Sequence, residues 1–430
     1  MHLLVDHGGY NNLGDTAMTE AVIGRLRHNF PGATLSVFNR GFQSDAWGQP
    51  GVRQLPEQML LPWLEGLLQK LPLHRNTPLR YRWQSVLARA TLLLGQAIAP
   101  RHIRLARPGQ RQVTQRLLDY CDRFDGLHVV GGDYLRDVYA IELLRKCMFM
   151  LAFAELKKPV VLTGHQLGPF KQGMYRPALY RALRQATFVG IRERIHSPGF
   201  CQAAGLDPGC YEVMGDDSLG LKAAPDGEAA ALLAQQGLRP KAFIAFNLRL
   251  TRATTGQERT LQPLAETLDD LSARLRLPYL IVPVAQGDWE SDRDAALRVA
   301  ALTTASDVRT LPATDLTPRL AKAILGQAYG AAGTSWHFCT FALSEGVPAV
   351  CLHGSTYYAH KAQSLCATWQ DERLALAMTD TAPTAAAEHI ARVFDDAALR
   401  RQLPERAARS VALWCSVFDR RTRSAFASLN

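Results

Sequence analysis

Two side chains in the last third of the chain combine into a recognisable chemistry. One is the imidazole of His337, in Ala331-Ala332-Gly333-Thr334-Ser335-Trp336-His337-Phe338; the other is the ammonium of Lys361, in Tyr357-Tyr358-Ala359-His360-Lys361. The stretch reads as a buried strand, a polar turn carrying the histidine, a helix, a second strand and a lysine-bearing loop. Such an order sets both groups at the mouth of a parallel sheet, where open α/β domains bind small anions. A histidine there can donate a proton to a leaving anion or a carbanion-like centre. Lys361 can meet a phosphate as a point charge. Taken singly, each also fits an ordinary packed or solvated loop residue.

Further candidates lie at other strand ends. Gly8-Gly9-Tyr10-Asn11-Asn12-Leu13-Gly14-Asp15 precedes a helix, and its glycines allow a tight turn and close approach of a ligand. Asp15 there either caps the helix or accepts a proton from a hydroxyl-rich acceptor held with Asn11 and Asn12. The glycine spacing is not a dinucleotide fingerprint. Gly131-Gly132-Asp133 follows an apolar strand, so the loop passes close to substrate or to an opposing element. His165, in Gly164-His165-Gln166-Leu167-Gly168-Pro169, is either a base or a polar loop residue. Arg192 and Arg249 follow strands and offer planar donors suited to carboxylate or phosphate. Asp288, Glu290, Asp292 and Asp294 read as an acidic loop and helix start, and no metal site is expected.

These residues need a scaffold of alternating strands and helices. Strands are expected near 3–5, 35–38, 127–130, 160–164, 188–192 and 212–214, with helices over 16–27 and about 140–156. The pattern restarts at Phe243-Ile244-Ala245-Phe246, after an Ala-, Gly- and Asp-rich stretch over 220–239, and runs through strands at 279–284, 308–311, 330–333 and 349–352. The last fifty residues read as helical, anchored by Trp414 and Phe418. At 430 residues two domains are the default. The economical architecture is α/β: two Rossmann-like domains facing a cleft. Residues 1–219 form an N-terminal acceptor domain with a basic insertion at about 45–115. Residues 220–430 form a donor-binding domain that includes the C-terminal helices.

The net charge of +10 is uneven: residues 53–116 hold eleven Lys or Arg against Glu57 and Glu65, mixed with Trp63, Tyr81 and Trp83. The insertion reads as a solvated helical region or as a peripheral membrane or lipid-linked acceptor surface. Nucleic acid is not expected as a partner, because no zinc finger, GXXG loop or aromatic RNA-binding strand accompanies the charge. No apolar run is long enough for a membrane span, and the start lacks the features of a signal peptide. Eight cysteines without a CxxC pair read as reduced packing residues of a cytoplasmic protein, with a peripheral position at the inner membrane face as the variant.

In their order along the chain, these loops resemble the polysaccharide pyruvyl transferase family. The matching positions are Asn12 to Asp15, Gly131 with Gly132, Gly164 to Pro169, Arg192 with Glu193, Arg249, His337, Gly346 with Pro348, and Tyr357 or Tyr358 with Lys361. The resemblance implies a fold similar to glycosyltransferase B. It also implies transfer of a pyruvyl group from phosphoenolpyruvate to two sugar hydroxyls of a polysaccharide or lipid-linked glycan in exopolysaccharide or cell-envelope biosynthesis. No cofactor is implied beyond phosphoenolpyruvate as co-substrate. Donor binding would fall to Arg249, Ser335, Trp336, Lys361 and Arg252, and acceptor binding to Asn11, Asn12, Gly132, Asp133 and Arg192. His337, Asp15 and His165 would carry proton transfers. This chain departs from the family pattern at Ser335, where relatives carry arginine; losing one charge-assisted contact costs about 1.5–3 kcal/mol. Two other readings follow from that departure. One is a nucleotide-sugar-dependent glycosyltransferase, with Trp336 stacking on the base; the other is a non-catalytic glycan-binding pathway protein.

Overall fold

The computed structural model describes residues 1–6, 12–38, 51–55, 108–170, 173–250, 261–287, 290–304, 306–311 and 316–429. Asn11, Arg252, Asp288 and nearly all of the basic insertion lie outside the described residues. The chain forms two compact units. Met1–Gly9, Val22–Asp217 and Trp414–Asn430 make one; Tyr10–Ala21 and Ser218–Leu413 make the other.

The first unit is built on seven strands: β1 (His2–Asp6), β2 (Thr34–Phe38), β3 (Val52–Leu55), β4 (Gly126–Val129), β5 (Val160–His165), β6 (Phe188–Ile191) and β7 (Tyr211–Val213). They form one parallel sheet in the order β3-β2-β1-β4-β5-β6-β7. Central strands read as unbroken apolar runs, such as Leu3-Leu4-Val5, because helices cover both faces. The helix Ala140–Glu155 lays Leu143, Cys147, Met150 and Phe153 into that core.

The second unit carries β8 (Ile244–Asn247), β9 (Tyr279–Ile281), β10 (Gln286–Gly287), β11 (Glu290–Ser291), β12 (Val308–Thr310), β13 (Gly330–Gly333), β14 (Ala349–His353) and β15 (Ala375–Ala377). Six of these form a parallel sheet in the order β12-β9-β8-β13-β14-β15. The other two, β10 and β11, make a small antiparallel pair between β9 and the helix Asp292–Ala300. The helices Leu261–Leu275 and Pro383–Asp395 pack together, and each buries apolar residues at helical spacing, Leu264, Leu268 and Leu271 in the first and Ala386, Ile390 and Phe394 in the second.

Two helices depart from the expected division at residue 219. The helix Ala397–Phe426 contributes its C-terminal part to the first unit, and the helix Leu13–Asn29 contributes its first residues to the second. The reason is side-chain spacing. Trp414, Phe418, Thr422 and Phe426 recur every four residues and are all buried. Phe418 packs on His128 with ring centroids 5.4 Å apart, and a methyl on Gly126 would lie 2.8 Å from Phe426. Among the described residues no helix is long and apolar enough to cross a membrane.

Candidate functional site

Each sheet reverses its strand order once, between β1 and β4 in the first unit and between β8 and β13 in the second. Ligands of open α/β sheets bind outside the carboxyl ends of the strands at such points. In the second unit β8 ends at Asn247 and runs into Leu248-Arg249, while β13 ends at Gly333 and runs into Thr334-Ser335. A side chain on Gly333 would press 2.8 Å from the Asn247 carbonyl, so only glycine lets the two ends come together. Thr334 then ties them: its amide donates to Asn247 O at 3.2 Å, and its hydroxyl accepts from the Arg249 amide at 2.7 Å.

Arg249 reaches this edge but arrives paired. Its Nε and Nη2 donate to the two oxygens of Asp292 at 2.9 and 3.2 Å. Asp292, fully buried, also accepts from Asn247 Nδ2 at 2.9 Å and from the Val284 and Ala285 amides at 3.0 and 2.9 Å. The acidic cluster is thus a helix start, capped by Ser291 through Asp294 N at 3.1 Å, whose first residue holds the arginine. Asp292's role had no local signal in the sequence, because its arginine partner lies 43 residues away.

The histidine turn is tighter than expected. Ser335 is the N-cap of the helix Trp336–Ser344, so His337 stands in its first turn. The Ser335 hydroxyl makes no capping bond; it is buried without a hydrogen-bond partner among the described residues. Trp336 is 4% exposed, which leaves little indole face for stacking on a base. His337, 8% exposed, faces Gly14, and Gly14 donates its amide to Asn12 Oδ1 at 2.9 Å. The Asn12 side chain therefore caps the helix Leu13–Asn29, and Asp15, buried in the same first turn, is not that cap. These residues group with the second unit, not with residues 22–217 of the first, where the acceptor domain was expected. Lys361 also differs from expectation: it lies in the helix Thr356–Trp369, one strand along the same edge, with its ammonium 4.7 Å over the Tyr357 ring.

In the first unit Gly132, Asp133 and Arg192 each make contacts within the fold. Gly132 bridges to His165, accepts from the Gln166 amide at 2.9 Å and has a positive φ of 131°. A methyl on Gly131 would lie 2.6 Å from the Gly164 carbonyl, so the double glycine answers to the neighbouring strand end. Arg192 is buried and pairs with Asp216 at 3.2 Å and with Gln166. Its neighbour Glu193 accepts from the amides of Ile195, His196 and Ser197 at 2.7, 2.8 and 2.6 Å, which fixes the start of the helix Ser197–Ala203. Asp133 lies 3.6 Å from Arg136. His165 is wholly buried at the end of β5. Burial foremost, then the nearby Lys146, pushes its imidazole down to about 3. A ring held neutral in this way is a poor general base near neutrality. Sequence reasoning also missed the buried ion pairs of Asp6 with Arg145, 2.7 Å, and Lys146, 3.3 Å, at the end of β1.

A family model described as polysaccharide pyruvyl transferase matches residues 12–355. The chain belongs to the polysaccharide pyruvyl transferase family. No curated protein is a significant match. Among solved structures, HepE from Anabaena in complex with UDP and glucose is 14% identical, with 100% of each chain covered and a TM-score of 0.58. A protein described as a UDP-N-acetylglucosamine 2-epimerase from Listeria monocytogenes is also 14% identical, covering 100% of this chain and 96% of its own, with a TM-score of 0.58. The UDP-N-acetylglucosamine 2-epimerase of Neisseria meningitidis bound to UDP-N-acetylglucosamine is 9% identical, covering 99% of this chain and 100% of its own, with a TM-score of 0.54.

This polysaccharide pyruvyl transferase family member therefore has a mixed α/β fold with two sheet-bearing lobes, like the glycosyltransferase B structures it matches. Its family and fold are those of sugar-modifying enzymes. The expectation of pyruvyl transfer from phosphoenolpyruvate is corrected by the same comparison, because these structural matches are proteins described as UDP-N-acetylglucosamine 2-epimerases and a protein bound to UDP and glucose. Ser335 stands where the family resemblance implied an arginine, and Arg249 pairs with Asp292.

Proposed function

We propose that the protein is a nucleotide-sugar-dependent glycosyltransferase acting on a sugar of a glycan or lipid-linked acceptor. The observation that carries this reading is the buried Ser335 hydroxyl, without a partner among the described residues, at the start of the helix Trp336–Ser344 and at the switch point of the second sheet. A helix N-terminus with a neutral hydroxyl suits a diphosphate, whose charge is spread over several oxygens. His337, in the first turn, donates to the leaving diphosphate as the bond between sugar C1 and phosphate oxygen breaks. The acceptor hydroxyl forms the new bond to C1, and its proton passes to a carboxylate; Asp15, next to Gly14, is the candidate. Asp292 holds Arg249 at the edge of the same site. Eight free thiols fit a reducing, cytoplasmic setting.

The test is calorimetric titration with UDP, GDP and their sugars, and with phosphoenolpyruvate as the control. Binding of a nucleoside diphosphate is expected, weakened about tenfold in Ser335→Ala, the effect of one lost hydrogen bond. Failure of every nucleotide to bind would remove the reading.

A further inference from the structure

We propose that Gly14 is a positioning residue for His337: its bare Cα is the wall against which the imidazole stands, and a network centred on Asp292 holds that wall in place. The inference rests on the reading of His337 as a group that touches the donor.

A side chain cannot be added at residue 14 without striking the ring. A methyl there would lie 2.7 Å from His337 Cβ and would overlap Nδ1 and Cγ outright. Gly14 is also not an ordinary helical glycine. Gly24, ten residues later in the same helix, has nothing within 4 Å of a built methyl and would accept alanine. A glycine in a helix costs about 1 kcal/mol relative to alanine, so open space explains nothing about position 14; the imidazole does.

The wall is fixed from behind. The Leu13 amide donates to Val284 O at 2.8 Å, and Asn12 pairs with Ala285 in an isolated antiparallel bridge. The amides of Val284 and Ala285 in turn donate to Asp292 Oδ2, the carboxylate that also holds Arg249. One buried carboxylate thus sets both the guanidinium and, through two backbone segments, the surface that fixes the imidazole. Asn12 Oδ1 closes the arrangement by accepting from Gly14 N, which pins the first turn where the ring meets it.

The experiment uses the full-length protein with 15N-labelled histidine, comparing wild type, Gly14→Ala, Gly24→Ala and the double variant Gly14→Ala/His337→Ala. His337→Ala assigns the His337 ring resonances. Gly14→Ala is expected to move the His337 Nδ1 and Nε2 shifts and to lower kcat at least tenfold with acceptor KM unchanged. Gly24→Ala should move neither. If Gly14→Ala does not fold, the double variant decides: recovered folding when the ring is removed supports the contact, and no recovery overturns it. Unmoved His337 resonances in a folded Gly14→Ala protein also overturn the inference. Moved resonances with unchanged turnover would leave the positioning intact and remove His337 from the donor site, so the two readings fail separately.

Discussion

The indole Nε1 of Trp414 donates to Oδ1 of Asp217 at 2.9 Å, joining residues 197 apart in the chain. Oδ2 of the same carboxyl accepts from Gly131 N at 2.9 Å and from the Thr163 hydroxyl at 2.8 Å. The group is wholly buried. Burial lifts it to about 7, against the opposing pull of these hydrogen bonds, that from Trp414 first. Trp414 and Asp217 thus join the residue after which the chain leaves the first unit for the longer excursion to the residue at which it returns.

Between its ordinary value of 3.8 and about 7, the folded Asp217 holds a proton that the unfolded chain has released. Its contribution to stability is therefore full below about 3.8 and is lost as pH rises through about 7, at about 1.4 kcal/mol per pH unit. Urea unfolding of Asp217→Asn should lack this slope between about pH 5 and about pH 7. Trp414→Phe leaves Oδ1 without its donor and should lose about 1–3 kcal/mol throughout. An Asp217→Asn protein with the wild-type slope would remove Asp217 as its source.

Buried histidines act with the opposite sign. Burial pushes His128 and His165 down from 6.5 to about 3, so the unfolded chain binds protons that the folded chain refuses. Their stabilising effect is present above about 6.5 and is lost as pH falls towards about 3, again at about 1.4 kcal/mol per pH unit for each. His128→Leu and His165→Gln should each flatten the acid limb of the stability profile by one proton. Denaturation midpoints followed from neutral to acid pH check this, and a limb of unchanged steepness in both variants would contradict it.

Asp292 and Arg249 should separate stability from binding. Asp292→Ala removes the carboxylate that accepts from Arg249, Asn247 Nδ2 and two buried backbone amides, so a loss of about 3–5 kcal/mol is expected. Arg249→Ala leaves Asp292 with three of its donors and should lose clearly less, while weakening nucleotide binding. Denaturation alongside titration with UDP tells them apart; an Arg249→Ala variant less stable than Asp292→Ala would show that the carboxylate is not the hub.

Period and punctuation in the sequence located the strands, because a parallel sheet covered on both faces demands apolar runs such as Leu3-Leu4-Val5 and Ile244-Ala245-Phe246. Strands β3, β10, β11 and β15 were not expected: β3 begins a basic stretch, and β10 and β11 are only two residues each. Tyr357 to Lys361 reads as a loop by composition, yet Ser355 accepts from Tyr358 N at 3.5 Å and starts a helix there.

The sequence by itself determined the α/β class, the strand-end loops that carry polar residues, and membership in a family whose short motifs occur in order. Those properties are local: hydrophobic period, glycine at turns, and residue type at a given offset act within a few positions. The tertiary structure decided what each polar residue does. Arg192, Glu193, Gly131 and His165 became internal supports, whereas Gly14, Asp292 and Asp217 acquired roles that no neighbour in sequence announces. Hydrogen bonds, desolvation and van der Waals contact depend on distance in space, and only folding brings Gly14 against His337 or Trp414 onto Asp217.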